Sequence, residues 1–137
     1  MDRRTFLLGV ASAAFVPLSA VAGESFVNYS PGVIESALSQ GKTVLVDYWA
    51  SWCSTCRRQG RVMDELRAQN PAYNANIVFI RVDWDQYKQA EVTTSRAIPR
   101  RSTLVLLRGN KELGRIVAGT RGRDIKALLD KGLQPSA

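Results

Sequence analysis

Cys53 and Cys56 stand two residues apart in "WASWCSTCRRQ"; they are the only cysteines in the 137-residue chain, and there is no histidine. Three chemistries can use such a pair. A closed zinc site takes four ligands, commonly cysteine or histidine, and two sulfurs with no imidazole fall short of that within one chain. A structural disulfide closing so small a loop restrains little of the unfolded chain. A working thiol–disulfide couple fits the spacing best, because sulfurs one helical turn apart can reach each other without strain and resolve a mixed disulfide quickly.

The flanking residues say which sulfur attacks. "TVLVDYWA", residues 43–50, is apolar and β-branched without alternation, as a central strand covered on both faces requires. After Cys53, Val62, Met63 and Leu66 recur at helical spacing, and Asn70-Pro71 ends the run. Gly60 weakens this helix locally and predicts a bend. The cysteines therefore sit where a strand ends and a helix begins, and a helix N-terminus carries unpaired amide hydrogens and partial positive charge that favour thiolate over thiol. Cys53, at the helix start and near Arg57 and Arg58, is the expected nucleophile. Cys56, a turn further in and shielded, is the expected resolving thiol.

The remaining chain alternates in type. "SPGVIESALSQGK" predicts a helix capped by Ser30, with Pro31 first and Gly41 as its stop. "NIVFIRVDWD" gives a buried strand near 77–83, and a polar helix is expected near Gln86 to Ser95. Two apolar strands flank Gly109-Asn110-Lys111 as a hairpin, and "RGRDIKALLDKGL" closes as an amphipathic helix with Ile125, Leu128 and Leu129 inward. This order demands a parallel crossover unit followed by an antiparallel hairpin, hence an α/β domain with a mixed central sheet and helices on both faces.

The first 22 residues read as an export signal and residues 23–137 as one domain. A charged head, an apolar Ala-rich stretch from Phe6 to Ala22 and Ala-Val-Ala before Gly23 have the layout of a cleavable signal. "RRTFLLG", with Arg3 and Arg4, resembles the twin-arginine motif, which implies a bacterial protein exported to the periplasm after folding; an uncleaved membrane anchor is the alternative. The balance of 19 Lys+Arg against 12 Asp+Glu gives +7. That charge favours acidic partners, but the arginines are scattered rather than interleaved with stacking aromatics, so no nucleic-acid ligand is expected.

"VLVDYWASWCSTCRRQ" resembles the active-site segment of the thioredoxin family: an apolar strand, an aspartate, an aromatic pair, then Ala-x-Trp-Cys-x-x-Cys and a basic residue. The likeness runs through the mature chain, with Ile98-Pro99 similar to the family's cis-proline site, Leu104–Val117 to its last two strands and Gly119 to the glycine after them. It implies a thioredoxin fold with the CxxC pair at a strand-to-helix junction, a redox-active disulfide with no cofactor and no metal, protein disulfides as substrates, and a monomer. It implies a proton acceptor and donor for Cys56 in Asp47, whose burial mid-strand should raise its pKa. Trp52, Ile98 and Pro99 are the implied substrate-binding residues, the Ile98 backbone pairing with an extended segment. Trp49 is expected to pack beneath the nucleophile.

The departures bear on the direction of exchange. Ser54-Thr55 replaces the Gly-Pro of cytoplasmic thioredoxins and the His-containing dipeptides of oxidases and isomerases, which favours a reductant. "PRRST" adds Arg100, Arg101 and Ser102 between the proline and the following threonine. If the added residues stay near Cys53, Arg57, Arg58, Arg100 and Arg101 form a basic rim. There is no helical insertion of the DsbA kind and no histidine for a Sco-like copper site. The expected function is a periplasmic reductant of protein disulfides, recharged by a membrane thiol carrier of the DsbD or CcdA type. A disulfide oxidase or isomerase, or a non-catalytic adaptor, is the alternative.

Overall fold

The computed structural model of the protein describes residues 26–135; the expected export signal, with Arg3 and Arg4, lies outside them. Strand β1 (Val27–Asn28) leads through helix α1 (Val33–Ser39) to β2 (Thr43–Trp49). Helices α2 (Ser54–Gln69) and α3 (Ala72–Asn76) then precede β3 (Ile77–Asp83). Two single turns, α4 (Trp84–Tyr87) and α5 (Glu91–Thr94), lead to the hairpin β4 (Thr103–Arg108) and β5 (Lys111–Val117), and α6 (Gly122–Lys131) closes the fold. Among the described residues no helix is long and apolar enough to cross a membrane.

The five strands lie in the order β1-β3-β2-β4-β5. β1 and β2 run parallel to β3, whereas β2–β4 and β4–β5 are antiparallel. The mixed sheet demanded by the order of elements is thus present, with β2 at its centre and every β2 residue except Trp49 buried. Both faces of β2 are covered, so it has no polar face and its sequence does not alternate.

Successive side chains of a strand still point to opposite faces. Val44, Val46 and Tyr48 join Ile34 and Ala37 of α1, Ile80 and Val82 of β3, and Val92 of α5 on one side. Leu45 joins Met63 of α2, Tyr73 of α3, Leu104 and Leu106 of β4, and Ile125, Leu128 and Leu129 of α6 on the other. Asp47 follows Leu45 in this alternation. It therefore points toward the face that α2 covers.

Local departures have identifiable causes. α1 starts at Val33, with Gly32 at its N-cap in the left-handed region at φ 91°, so Ser30 and Pro31 form the preceding turn instead of cap and first residue. Gly41, at φ 78°, follows its C-terminus as expected. α2 runs unbroken through Gly60, which is buried; packing holds the helix where propensity alone predicts a bend. The polar segment near 86–95 forms the separate turns α4 and α5, because it carries few apolar residues to anchor a continuous helix.

Candidate active site

β2 ends at Trp49, and a three-residue turn delivers Cys53 as the N-cap of α2. Its amide donates to the Ala50 carbonyl at 3.1 Å, and its Sγ accepts the Cys56 amide at 3.1 Å. The sulfur thus takes the place of a capping oxygen on one of the helix's unpaired N–H groups. Cys53 and Cys56 are joined as a disulfide with Cα atoms 5.3 Å apart, inside the ordinary range. Cys53 is 3% exposed and Cys56 0%. Ala50 is buried with them, and Trp49 and Trp84 pack against the group, so Trp49 has the packing role expected of it.

The side chain set against this disulfide is Ser102. Its Oγ lies 3.1 Å from Cys53 Sγ and 3.0 Å from Cys56 Sγ, and the residue is 0% exposed. Its backbone is at φ 64°, in the left-handed region. Its amide donates to the Tyr48 carbonyl at 2.7 Å, while its carbonyl accepts the Ala118 amide at 2.8 Å and Gln59 Nε2 at 2.9 Å. Gln59, fully buried on α2, also donates from Nε2 to the Gly119 carbonyl at 2.9 Å. One amide group thereby ties the helix that carries both cysteines to the loop that carries Ser102.

The Ile98-Pro99 peptide, whose isomer the sequence leaves open, is trans. The Ile98 amide donates to the Thr93 carbonyl at 3.2 Å and its side chain is buried beside Val92, which commits its N–H to the loop instead of to a strand-like substrate. Pro99 is exposed. The reason is position along the chain. Arg100 and Arg101 carry the chain from the proline to β4, so the residue immediately before Thr103 that meets the sulfurs is Ser102.

Asp47 is completely buried, and Arg81 Nε donates to its Oδ2 at 3.3 Å. The two face each other across the parallel β2–β3 register. Loss of solvent raises the carboxyl to about 6, with the Arg81 charge and hydrogen bond opposing the rise only in part. The Arg81 guanidinium is held over the Phe26 ring at 4.0 Å and the Trp49 ring at 4.6 Å, so it is fixed beside the acid. Oδ1 of Asp47 is buried without a hydrogen-bond partner, which leaves a lone pair open to a proton.

A CxxC pair at the N-terminus of α2, a buried acid in the preceding strand and a five-stranded mixed sheet are features shared with known proteins. The family model described as Thioredoxin matches residues 27–131. The chain belongs to the thioredoxin family. Thioredoxin 1 of Nostoc sp. is 31% identical over 100 residues, covering 72% of this chain and 88% of that one. Thioredoxin of Alicyclobacillus acidocaldarius is 29% identical, covering 73% and 90%. The crystal structure of Trxlp from Edwardsiella tarda superposes with a TM-score of 0.68 at 31% identity, over 77% of this chain and 98% of that one.

As a member of the thioredoxin family with its CxxC pair at bonding distance, the protein is a thiol–disulfide oxidoreductase, and the family's substrates are protein disulfides. Around the couple, Trp52 is 54% exposed, yet its indole Nε1 donates to Asp85 Oδ2 at 2.8 Å and the Arg101 guanidinium lies 4.3 Å over its ring. Trp52 is thus a fixed apolar platform beside the nucleophile. Of the four rim arginines, Arg101 is drawn in through Trp52. Arg100 Nε donates to the Arg101 carbonyl at 3.1 Å and Arg57 Nη1 to the Ser51 carbonyl at 3.0 Å, while Arg58 is exposed on α2.

Ser102, Gln59, Arg81 and Asp85 are the site residues that sequence reasoning missed. Counting back from the first β4 residue, rather than aligning the Ile-Pro pair, would have found Ser102. Arg81 was legible in part as a charge in the apolar run "NIVFIRV". Gln59 and Asp85 carry no sequence signal of their own.

Proposed function

We propose that this thioredoxin-family protein is an exported reductant of protein disulfides. The observation that carries the direction is what surrounds the sulfurs: a backbone amide and the neutral Ser102 hydroxyl bond to them, and Ala50, Trp49 and Trp84 pack with the two cysteines. Among the described residues no cationic side chain hydrogen-bonds either sulfur, and Ser54-Thr55 supplies no imidazole between them. A thiolate stabilised without a cation makes the reduced form less favourable, so the dithiol gives up its electrons readily.

In the proposed cycle the Cys53 thiolate attacks one sulfur of a substrate disulfide, forming a mixed disulfide and releasing the other substrate sulfur as a thiolate. Asp47, ionised above about pH 6, accepts the Cys56 proton. The Cys56 thiolate then attacks Cys53 Sγ. The Cys53–Cys56 bond forms, the second substrate sulfur leaves, and two electrons have passed from protein to substrate. Trp52 and the Arg100–Ser102 loop flank the attacked sulfur, and the rim of Arg57, Arg58, Arg100 and Arg101 favours acidic substrate segments. Export through the Arg3-Arg4 signal places the cycle in the periplasm, where the oxidised form is recharged by a membrane thiol carrier of the DsbD or CcdA type.

Reduction of insulin disulfides by the dithiol-charged domain tests the cycle. Cys53→Ser should abolish it, whereas Cys56→Ser should still attack and accumulate a mixed disulfide seen as a shift on non-reducing gels. No insulin reduction by the wild-type dithiol would sink the enzymatic cycle and leave the adaptor reading.

A further inference from the structure

Ser102 has no role that its backbone needs a hydroxyl for. Its amide bond to Tyr48 and its carbonyl bonds to Ala118 and Gln59 are main-chain contacts that any residue would make. Its φ of 64° is one that glycine adopts freely and that a residue with a Cβ resists. The hydroxyl's hydrogen bonds are to the two sulfurs, at 3.1 and 3.0 Å. A disulfide sulfur carries no proton, so in this trio the hydroxyl is the donor. It is also buried, out of competition with water, where a hydrogen bond to an ion is strongest.

We propose that Ser102 is a catalytic residue of the exchange reaction, its hydroxyl donating a hydrogen bond to whichever of Cys53 Sγ and Cys56 Sγ carries negative charge. Nearly equidistant from both, it serves Cys53 when that thiolate attacks and turns about its Cα–Cβ bond toward Cys56 when that thiolate closes the ring. No proton is transferred from Ser102 at either step. The sulfur–sulfur bond made and the one broken are those of ordinary exchange, and the hydroxyl only lowers the cost of the charge that moves between them. In the reverse direction the same bond stabilises Cys56 as the leaving thiolate.

The Ser102→Gly variant removes the hydroxyl while keeping every backbone bond and relaxing the φ angle; Ser102→Ala removes the hydroxyl and keeps the Cβ. Thiolate absorbance near 240 nm against pH, and the poise of the couple in defined thiol–disulfide buffers, read the effect. Both variants should raise the Cys53 pKa by about one unit, a tenfold change in its ionisation constant. Loss of a bond that favours the reduced form should also make reduction of the couple roughly tenfold less favourable, about 30 mV more negative. Variants that fold, titrate and poise like the wild-type protein would overturn the proposal. Failure of Ser102→Gly to fold would overturn it as well, since the hydroxyl would then be holding the loop. Because each reading is a difference from wild type, the result is independent of whether the parent couple is reducing or oxidising.

Discussion

Asp47 behaves as a proton-linked residue in two measurable ways. Its carboxyl is held at about 6 in the fold, chiefly by burial, against about 3.9 in an unfolded chain. The folded state therefore binds the proton more tightly. Between pH 4 and 6 it carries more protons than the unfolded state, so stability falls as pH rises through that window. Asp47→Asn should abolish the loss and be more stable than wild type by up to about 3 kcal/mol above pH 7, measured by urea unfolding from pH 4 to 8. In catalysis the sign reverses. Resolution by Cys56 should quicken as pH rises through about 6, and in Asp47→Asn it should be slow and lack that inflection, read by stopped-flow tryptophan fluorescence. Arg81→Met should move the wild-type inflection upward, because the one cation opposing the rise is gone. The sequence made Asp47 legible, since a single acid in "TVLVDYWA" can only be buried. Its partner was less so, because pairing Asp47 with Arg81 needs the β2–β3 register, which the sequence does not state.

At the scale of elements, the joint between α2 and the Ser102 loop does most to hold the site together. Gln59→Leu should leave the Ser102 and Gly119 carbonyls short of a donor, costing about 1–3 kcal/mol in urea unfolding. It should also shift the redox couple, since Ser102 is then less firmly held. The strong elements were legible from pattern: β2, α2 and the β4–β5 hairpin follow from apolar runs, helical spacing and the Gly109-Asn110 turn. The short ones were not. β1 has two residues and α3 five, too few for either periodicity to register, and both are held by packing on β3 and α2. The loop before β4 misled because Ile-Pro is a strong local signal, whereas the position beside the sulfurs is set by distance from the strand. Arg100 and Arg101 stand between the proline and Ser102 and keep the two positions apart.

At the scale of the whole molecule, the positive net charge and the proposed rim of Arg57, Arg58, Arg100 and Arg101 should steer acidic partners. kcat/KM for an acidic protein disulfide should fall several-fold between 0.05 and 0.5 M salt, and Arg58→Glu should reduce both the rate and its salt dependence. A neutral substrate should show neither effect. The proposed export predicts that Arg3→Lys with Arg4→Lys leaves precursor in the cytoplasm, scored by cell fractionation. The direction of exchange is set by the reduction potential of the Cys53–Cys56 couple. The purified domain, equilibrated in defined thiol–disulfide buffers and followed by tryptophan fluorescence, should poise near the thioredoxin value of about −270 mV. A potential near the isomerase or oxidase values, about −180 or −120 mV, would contradict the reductant assignment and make disulfide formation or rearrangement the function.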